Sequence, residues 1–137
     1  MKPLAIWVAI VVVVFGAYAL IASLLQETEQ VFVVVDASQP MTLLNNDIIA
    51  ELDRIDDRDD AEFALATVSD RPSNSGLTHS WQPSLRWATT PLFGPCSFDA
   101  IESFPEAADA DERILITTAG SCPTEALADW TIIELTP

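Results

Sequence analysis

The chain has 137 residues, half of them apolar, with six basic residues against 21 acidic ones. This length suits one modest domain plus a short additional element. All 21 acidic residues follow Leu25, and only one basic residue, Lys2, precedes it, so the five basic and 21 acidic residues beyond Leu25 give a net charge of −16. Such a surface repels nucleic-acid phosphates and anionic lipid, which argues against both as partners of this part. The charge indicates solubility or a saline habitat; docking onto a basic partner is the alternative.

The first predicted element is a transmembrane anchor within residues 1–25. Leu4–Leu25 contains no charge and no proline, and 22 helical residues extend about 33 Å, enough to cross a bilayer core. A cleaved signal peptide is the alternative, since Ala17-Tyr18-Ala19 resembles a cleavage site; the apolar run is longer than such peptides carry, which favours an uncleaved anchor. Because Lys2 precedes the span and acidic residues follow it, we expect a cytoplasmic N-terminus and a periplasmic or extracellular C-terminal domain.

A polar linker at 26–30 leads to one predicted domain at 31–137. Its order of strands and helices predicts an α/β fold, with a small doubly wound, mostly parallel sheet and one antiparallel edge strand. In chain order, the predicted elements are a buried strand Val31–Val35, a helix Met41–Ile55, a strand Glu62–Ser69, the antiparallel edge strand Leu77–Gln82, a short helix Ser97–Phe104 ended by Pro105, an acidic loop at 106–112, a strand Arg113–Thr118, a brief helix Pro123–Ala128 and a strand Thr131–Leu135.

Two cysteines, Cys96 and Cys122, lie in the part that we expect to be exported. Their spacing fits neither a metal-binding nor a CxxC redox pattern. In an oxidising compartment a structural disulfide between them is expected, with two buried free thiols as the alternative.

Three motifs resemble von Willebrand factor type A domains. VFVVVDASQPM, from Val31, resembles the family's first strand and its Asp-x-Ser-x-Ser loop. FALATVSD, from Phe63, resembles the second strand, and RILITTAG, from Arg113, occupies the place of a strand that ends Leu-Thr-Asp-Gly in the family. The resemblance covers most of 31–135 and implies a metal-ion-dependent adhesion fold in a shortened form.

The metal-binding pattern that this resemblance implies is incomplete. Asp36 and Ser38 match its first two positions, whereas Pro40 replaces the third, a serine, and Ala119 replaces a late aspartate. We therefore expect no bound metal or other cofactor, with Asp36 and Ser38 capping backbone N–H groups instead. The alternative is a weakly held Mg²⁺ ion on Asp36, Ser38 and one threonine, which is either Thr89 or Thr90.

A hydrolase that uses Asp36 as a nucleophile is a further alternative. The Asp-x-Asp pair of haloacid-dehalogenase-like phosphatases is Asp36-Ala37-Ser38 here, so their general acid is missing. The only histidine, His79, lies in the predicted edge strand, and the sequence assigns no nucleophile to it. We therefore expect no catalytic residue.

These patterns favour a non-catalytic, membrane-anchored interaction or scaffold module. The expected role is an accessory subunit of a larger membrane protein complex, which contacts other subunits through the Leu4–Leu25 helix and the acidic domain. A Mg²⁺-dependent ligand-binding domain is the alternative.

Overall fold

The computed structural model describes residues 2–24, 28–68, 80–86, 96, 98, 101–125 and 127–136. Helix α1 (Lys2–Leu24) is followed by the elements of the domain. Within α1, Ala5–Ser23 has a mean hydropathy of 2.6 and none of it is buried, so the helix is long and apolar enough to span a membrane. The order of the domain is β1 (Glu29–Val35), a 3₁₀ helix (Gln39–Leu44), α2 (Asn45–Asp56), β2 (Ala61–Thr67), α3 (Pro105–Asp109), β3 (Glu112–Thr118) and β4 (Thr131–Leu135).

The four strands form one parallel sheet in the order β2-β1-β3-β4, which confirms the predicted α/β class. Strand β1 is central: Val33 lies opposite Leu65 of β2 and Ile114 of β3. Residues 31–35 are all 0% exposed. This explains their unbroken apolar run, because a strand covered on both faces needs apolar side chains at every position.

A hydrophobic core packs against each face of the sheet. The two cores alternate along β1, since successive side chains of a strand point to opposite faces. On one face Val31, Val33 and Val35 contact the apolar side of the 3₁₀ helix and α2, formed by Met41, Leu44, Ile48, Leu52 and Ile55. On the other face Phe32 and Val34 contact residues from the loops and α3, which include Ile101, Phe104, Ala107, Cys122 and Leu127.

The predicted antiparallel edge strand is present as a single bridge within the described residues. Phe63 N donates to Gln82 O at 2.7 Å, and Gln82 N donates to Phe63 O at 2.8 Å. Residues 77–79 of that prediction lie outside the described part of the chain.

The helices differ from the prediction at positions where a proline occurs. The segment expected to begin at Met41 starts as a 3₁₀ helix at Gln39, with a proline in its first turn, and becomes α-helical only at Asn45.

Pro105, expected to end a helix, instead starts α3 inside the predicted acidic loop, whereas 101–103 form turns. Proline suits a first helical position because the N–H that it lacks would have no partner there. The helix predicted at Pro123–Ala128 is wrong for the described residues, which form turns and irregular backbone. Such a short segment gains few helical hydrogen bonds.

Cys96 and Cys122 lie at disulfide distance, with their sulfurs 2.21 Å and their Cα atoms 5.6 Å apart. This agrees with the predicted pairing. Cys122 is buried in the second core, and Cys96 packs against it. The bond therefore fastens the segment before α3 to the loop that follows β3.

Candidate functional site

The carboxyl ends of β1 and β3 form the most polar part of the sheet's interior. Strand β2, which follows β1 in sequence, pairs with one edge of β1, and β3 pairs with its other edge, so the strand order reverses at β1. Open α/β sheets bind ligands in the crevice at such a reversal of strand order. The oxygen-bearing side chains of Asp36, Ser38, Thr117 and Ser121 meet here.

Asp36 is held by the protein through both of its carboxylate oxygens. Its Oδ1 accepts a hydrogen bond from the backbone N–H of Ser38 at 2.8 Å, and its Oδ2 accepts one from the Thr117 hydroxyl at 2.9 Å. Its own backbone N–H donates to Ile116 O at 2.8 Å. The residue is only 1% exposed. The carboxylate therefore joins the ends of two neighbouring strands.

Ser38 and Ser121 bring two hydroxyl groups together beside this carboxylate. Their Oγ atoms form a hydrogen bond in which either can donate. Ser38 stands at the N-cap of the 3₁₀ helix but makes no side-chain capping bond, so the expectation that its hydroxyl caps a helix is wrong. Ser121 follows Gly120, whose φ of 75° lies in the left-handed region that glycine adopts without strain.

The structure describes only part of the metal-binding pattern considered above. Thr89, Thr90 and His79 lie outside the described residues. Pro40 is exposed on the 3₁₀ helix and Ala119 is exposed in the turn after β3. Within the described ranges no group of three or more His, Cys, Asp or Glu side chains is arranged to hold a metal ion.

Thr117 and Ser121 were missed by the sequence reasoning. Each lies more than 80 residues from its partner at the end of β1. The available signal was the group of small residues with hydroxyl side chains from Thr117 to Ser121, at the end of the third strand, because parallel neighbouring strands end at one edge of the sheet.

Leu43 is the main apolar feature on the outside of this edge. It is 87% exposed on the 3₁₀ helix, while Met41 and Leu44 of the same helix are buried. Among the described residues beyond α1, it is the one strongly exposed large apolar side chain. Its position places an apolar contact next to the Asp36 loop.

Two cavities of the described structure lie away from this cluster. One of about 300 Å³ borders β2 and is lined by Phe63, Leu65 and Leu85 among others. A second of about 300 Å³ lies between Arg113 and Trp130. The hydrogen bonds among Asp36, Ser38, Thr117 and Ser121 make this cluster a packed polar contact.

An ion-pair network lies at the opposite, amino-terminal end of the strands. Arg58 donates a hydrogen bond to Glu112, and its guanidinium lies 3.8 Å from Glu29. The hydrogen bond to Arg58 lowers the pKa of Glu112 below the ordinary carboxyl value, against the opposing effect of burial. The same bond raises the pKa of Arg58.

Glu112 should therefore stabilise the fold in a pH-dependent way. A carboxyl group whose folded pKa is lowered contributes stability above its unfolded pKa and loses it as pH falls through the folded value. We expect Glu112→Gln to lower the free energy of unfolding by about 0.5–1 kcal/mol at neutral pH, with the difference vanishing in acid. Urea unfolding between neutral pH and about pH 3 measures it. Glu51→Gln, which removes a more exposed pair with Arg54, is the control and should change less; an equal, pH-independent loss in both variants would contradict the assignment.

Comparison with known proteins gives no match: no family model, no curated protein and no solved structure aligns significantly with this chain.

Proposed function

We propose that this protein is a non-catalytic, membrane-anchored interaction module that serves as an accessory subunit of a larger membrane protein complex. One observation carries the non-catalytic part: each oxygen of the buried Asp36 carboxylate already accepts a hydrogen bond from the protein. A nucleophile or general base must also be within reach of a substrate, and Asp36 is only 1% exposed. Asp36 instead braces β1 against β3, so the edge of the sheet that carries ligands in related architectures has a structural role.

The proposed fold relationship is to von Willebrand factor type A domains. It is supported by a central apolar strand that ends in Asp36, by the parallel neighbours β2 and β3, and by the meeting of Asp36 with Ser38 and Ser121 at the strand ends. A domain of this kind that uses no metal would bind its partner through surface contacts.

The proposed location follows from α1 and the charge asymmetry. The helix would anchor the chain in the membrane with Lys2 in the cytoplasm and the acidic domain on the outer side. The exposed Asp53 of α2 offers a site for a topology test. An Asp53→Cys variant should react with a membrane-impermeant maleimide in intact cells, and protection from this reagent until lysis would reverse the orientation.

Leu43 is the side chain of the domain on which we expect partner binding to depend. An apolar side chain that is exposed in the isolated chain can become a buried anchor when a partner covers it. Leu43→Ser should convert a native complex, extracted in mild detergent, into a species with the mass of the chain and its micelle. Stability should change by less than about 0.5 kcal/mol, because the side chain is already exposed.

The control is Gln39→Ala, which changes another exposed side chain of the same 3₁₀ helix. Native gel electrophoresis and mass measurement should show the wild-type complex for this variant. A wild-type chain that migrates alone would contradict the proposed role, and an intact complex in Leu43→Ser would contradict the role of that residue.

A Mg²⁺-dependent ligand-binding domain remains the second candidate. The observation that favours it is the hydroxyl pair of Ser38 and Ser121 beside the Asp36 carboxylate, because Mg²⁺ accepts such oxygens together with several waters. These three side chains would hold the ion, and the ion would polarise a partner's carboxylate. A hydrolase based on Asp36 is the weaker alternative; an Asp36→Asn variant with full cellular function would end it.

A further inference from the structure

Strand β4 forms an edge of the sheet. It pairs with β3 in a parallel register from Ile114–Thr131 to Thr118–Leu135, and it is the last strand in the order β2-β1-β3-β4. Among the residues that the structure describes, no backbone hydrogen bond reaches its outer side. An edge of this type can pair with another extended chain.

The backbone groups that face outward belong to Ile132 and Glu134. Asp36 N donates to Ile116 O, so Ile116 faces β1 and its neighbours Leu115 and Thr117 face β4, since alternate residues direct their backbone groups to opposite sides. In a parallel ladder these two residues bond to positions 131, 133 and 135, which flank their register partners. Positions 132 and 134 are left facing away from β3.

A side-chain contact gives the same result independently. The Thr118 hydroxyl donates to Leu135 O at 2.9 Å, which places that carbonyl on the β3 side. By alternation the N–H and C=O groups of Glu134 point to the open side. The outer edge of β4 therefore offers two donors and two acceptors at the spacing of a strand.

At this edge each hydrophobic core ends in a partly exposed side chain of β4. Ile133 packs against the core on the α2 side, and Ile132 packs against the core on the other side. Both are only partly buried, in a strand whose single fully buried side chain is Leu135. An added strand would remove more of both isoleucines from water, which is favourable at about 25 cal/mol per Å² of apolar area.

The charge around β4 indicates what kind of strand would pair there. After Arg113 the sequence contains Glu125, Asp129 and Glu134 but no lysine, arginine or histidine. Glu134 and Asp129 are exposed. A second copy of this acidic chain would bring like charges together, whereas a basic segment would be complementary.

We propose that the outer edge of β4 binds an extended segment of a partner protein in which apolar residues alternate with lysines or arginines. The segment would add a fifth strand, bond to the backbone of Ile132 and Glu134, and place its basic residues near Glu134. This inference deepens the proposed function and rests on it, since it specifies the chemistry of the partner.

The test uses the full chain in neutral detergent micelles and a fluorescent peptide of seven alternating valines and lysines. Glu134→Pro removes an outward N–H without removing a bond to β3, a substitution that sheet edges tolerate. Glu134→Ala is the matched control, because it removes the same charge but keeps the N–H. We expect Glu134→Ala to bind the peptide within about threefold of the wild type, and Glu134→Pro to bind about tenfold or more weakly, by fluorescence anisotropy.

Amide hydrogen exchange of the wild type is the second measurement, and it remains decisive if Glu134→Pro does not fold. The peptide should slow exchange at Ile132 and Glu134 and leave Ile133, which already bonds to β3, unchanged. Absence of binding, equal binding by the two variants, or unchanged exchange would overturn the proposal. A wild-type dimer that Glu134→Pro dissociates would also overturn it, by making a second copy the occupant. If the wild type binds the peptide at β4 but forms no native complex in membranes, the result would contradict the proposed function and leave the binding site at β4 supported.

Discussion

Asp36→Ala is expected to lower the free energy of unfolding by about 3 kcal/mol. The substitution removes the oxygens that now accept from the Ser38 N–H and the Thr117 hydroxyl, and that hydroxyl keeps only a long contact of 3.4 Å to Thr118 O. The residue is 1% exposed, and each buried donor left unsatisfied costs about 1–3 kcal/mol. Denaturant unfolding of the full chain in micelles, followed by near-ultraviolet circular dichroism, measures the difference.

Asp36→Asn is the matched variant. Its amide keeps one carbonyl oxygen for the Ser38 N–H, and the Thr117 hydroxyl can turn to accept from the amide nitrogen. We expect it to lose less than half as much stability as Asp36→Ala.

The opposite sign would favour the metal-binding candidate. If Asp36→Ala were more stable than the wild type, the carboxylate would be held at a cost to folding, as ligand sites often are. Calorimetry with Mg²⁺, Mn²⁺ and Ca²⁺ would then be the deciding measurement. If the wild type releases heat on ion binding and Ser121→Ala does not, Asp36 belongs to an ion site rather than to a structural contact between β1 and β3.

Loss of the Cys96–Cys122 bond is expected to cost about 3 kcal/mol. The cysteines are 26 residues apart in sequence, and closing a loop of that length removes about 3.5 kcal/mol of chain entropy from the unfolded state. The segment between them contains both α3 and β3. The bond therefore restricts, in the unfolded state, the part of the chain that supplies half of the core on the α3 side of the sheet. Replacing both cysteines with alanine and repeating the unfolding under non-reducing conditions measures the cost.

The wild type treated with a reductant is the companion experiment. It should unfold at the same denaturant concentration as the double alanine variant, which should itself be insensitive to reductant. Equal stability of the untreated wild type and the variant would contradict a structural role for the bond.

The strands could be predicted from sequence because each contains a short run rich in apolar and β-branched residues. In β1 this run is unbroken because both faces of the strand are covered. Val31–Val35 and Thr131–Leu135 were placed within β1 and β4, and the other two predicted strands lie within two residues of β2 and β3. Helix boundaries were harder to predict at Pro105 and Pro123, because a proline can either end a helix or begin one. Long-range packing decides between these outcomes.

The site could be predicted only in part for a related reason. A strand that ends in aspartate places Asp36 at the edge of the sheet, whatever the rest of the fold. The partners of that carboxylate depend on which strand lies next to β1. Thr117 and Ser121 enter the cluster because β3 rather than β4 takes that position, and no local pattern in the sequence specifies this choice.

The short connection between α1 and the sheet limits where a partner can be met. Four residues separate Leu24 from Glu29 and extend at most about 14 Å, and the seven residues of β1 add about 23 Å. With α1 embedded in a bilayer, the edge that carries Asp36 and Leu43 would stand no more than about 40 Å above the lipid surface. A partner that binds this edge of the sheet must therefore present its contact surface within that height of the bilayer.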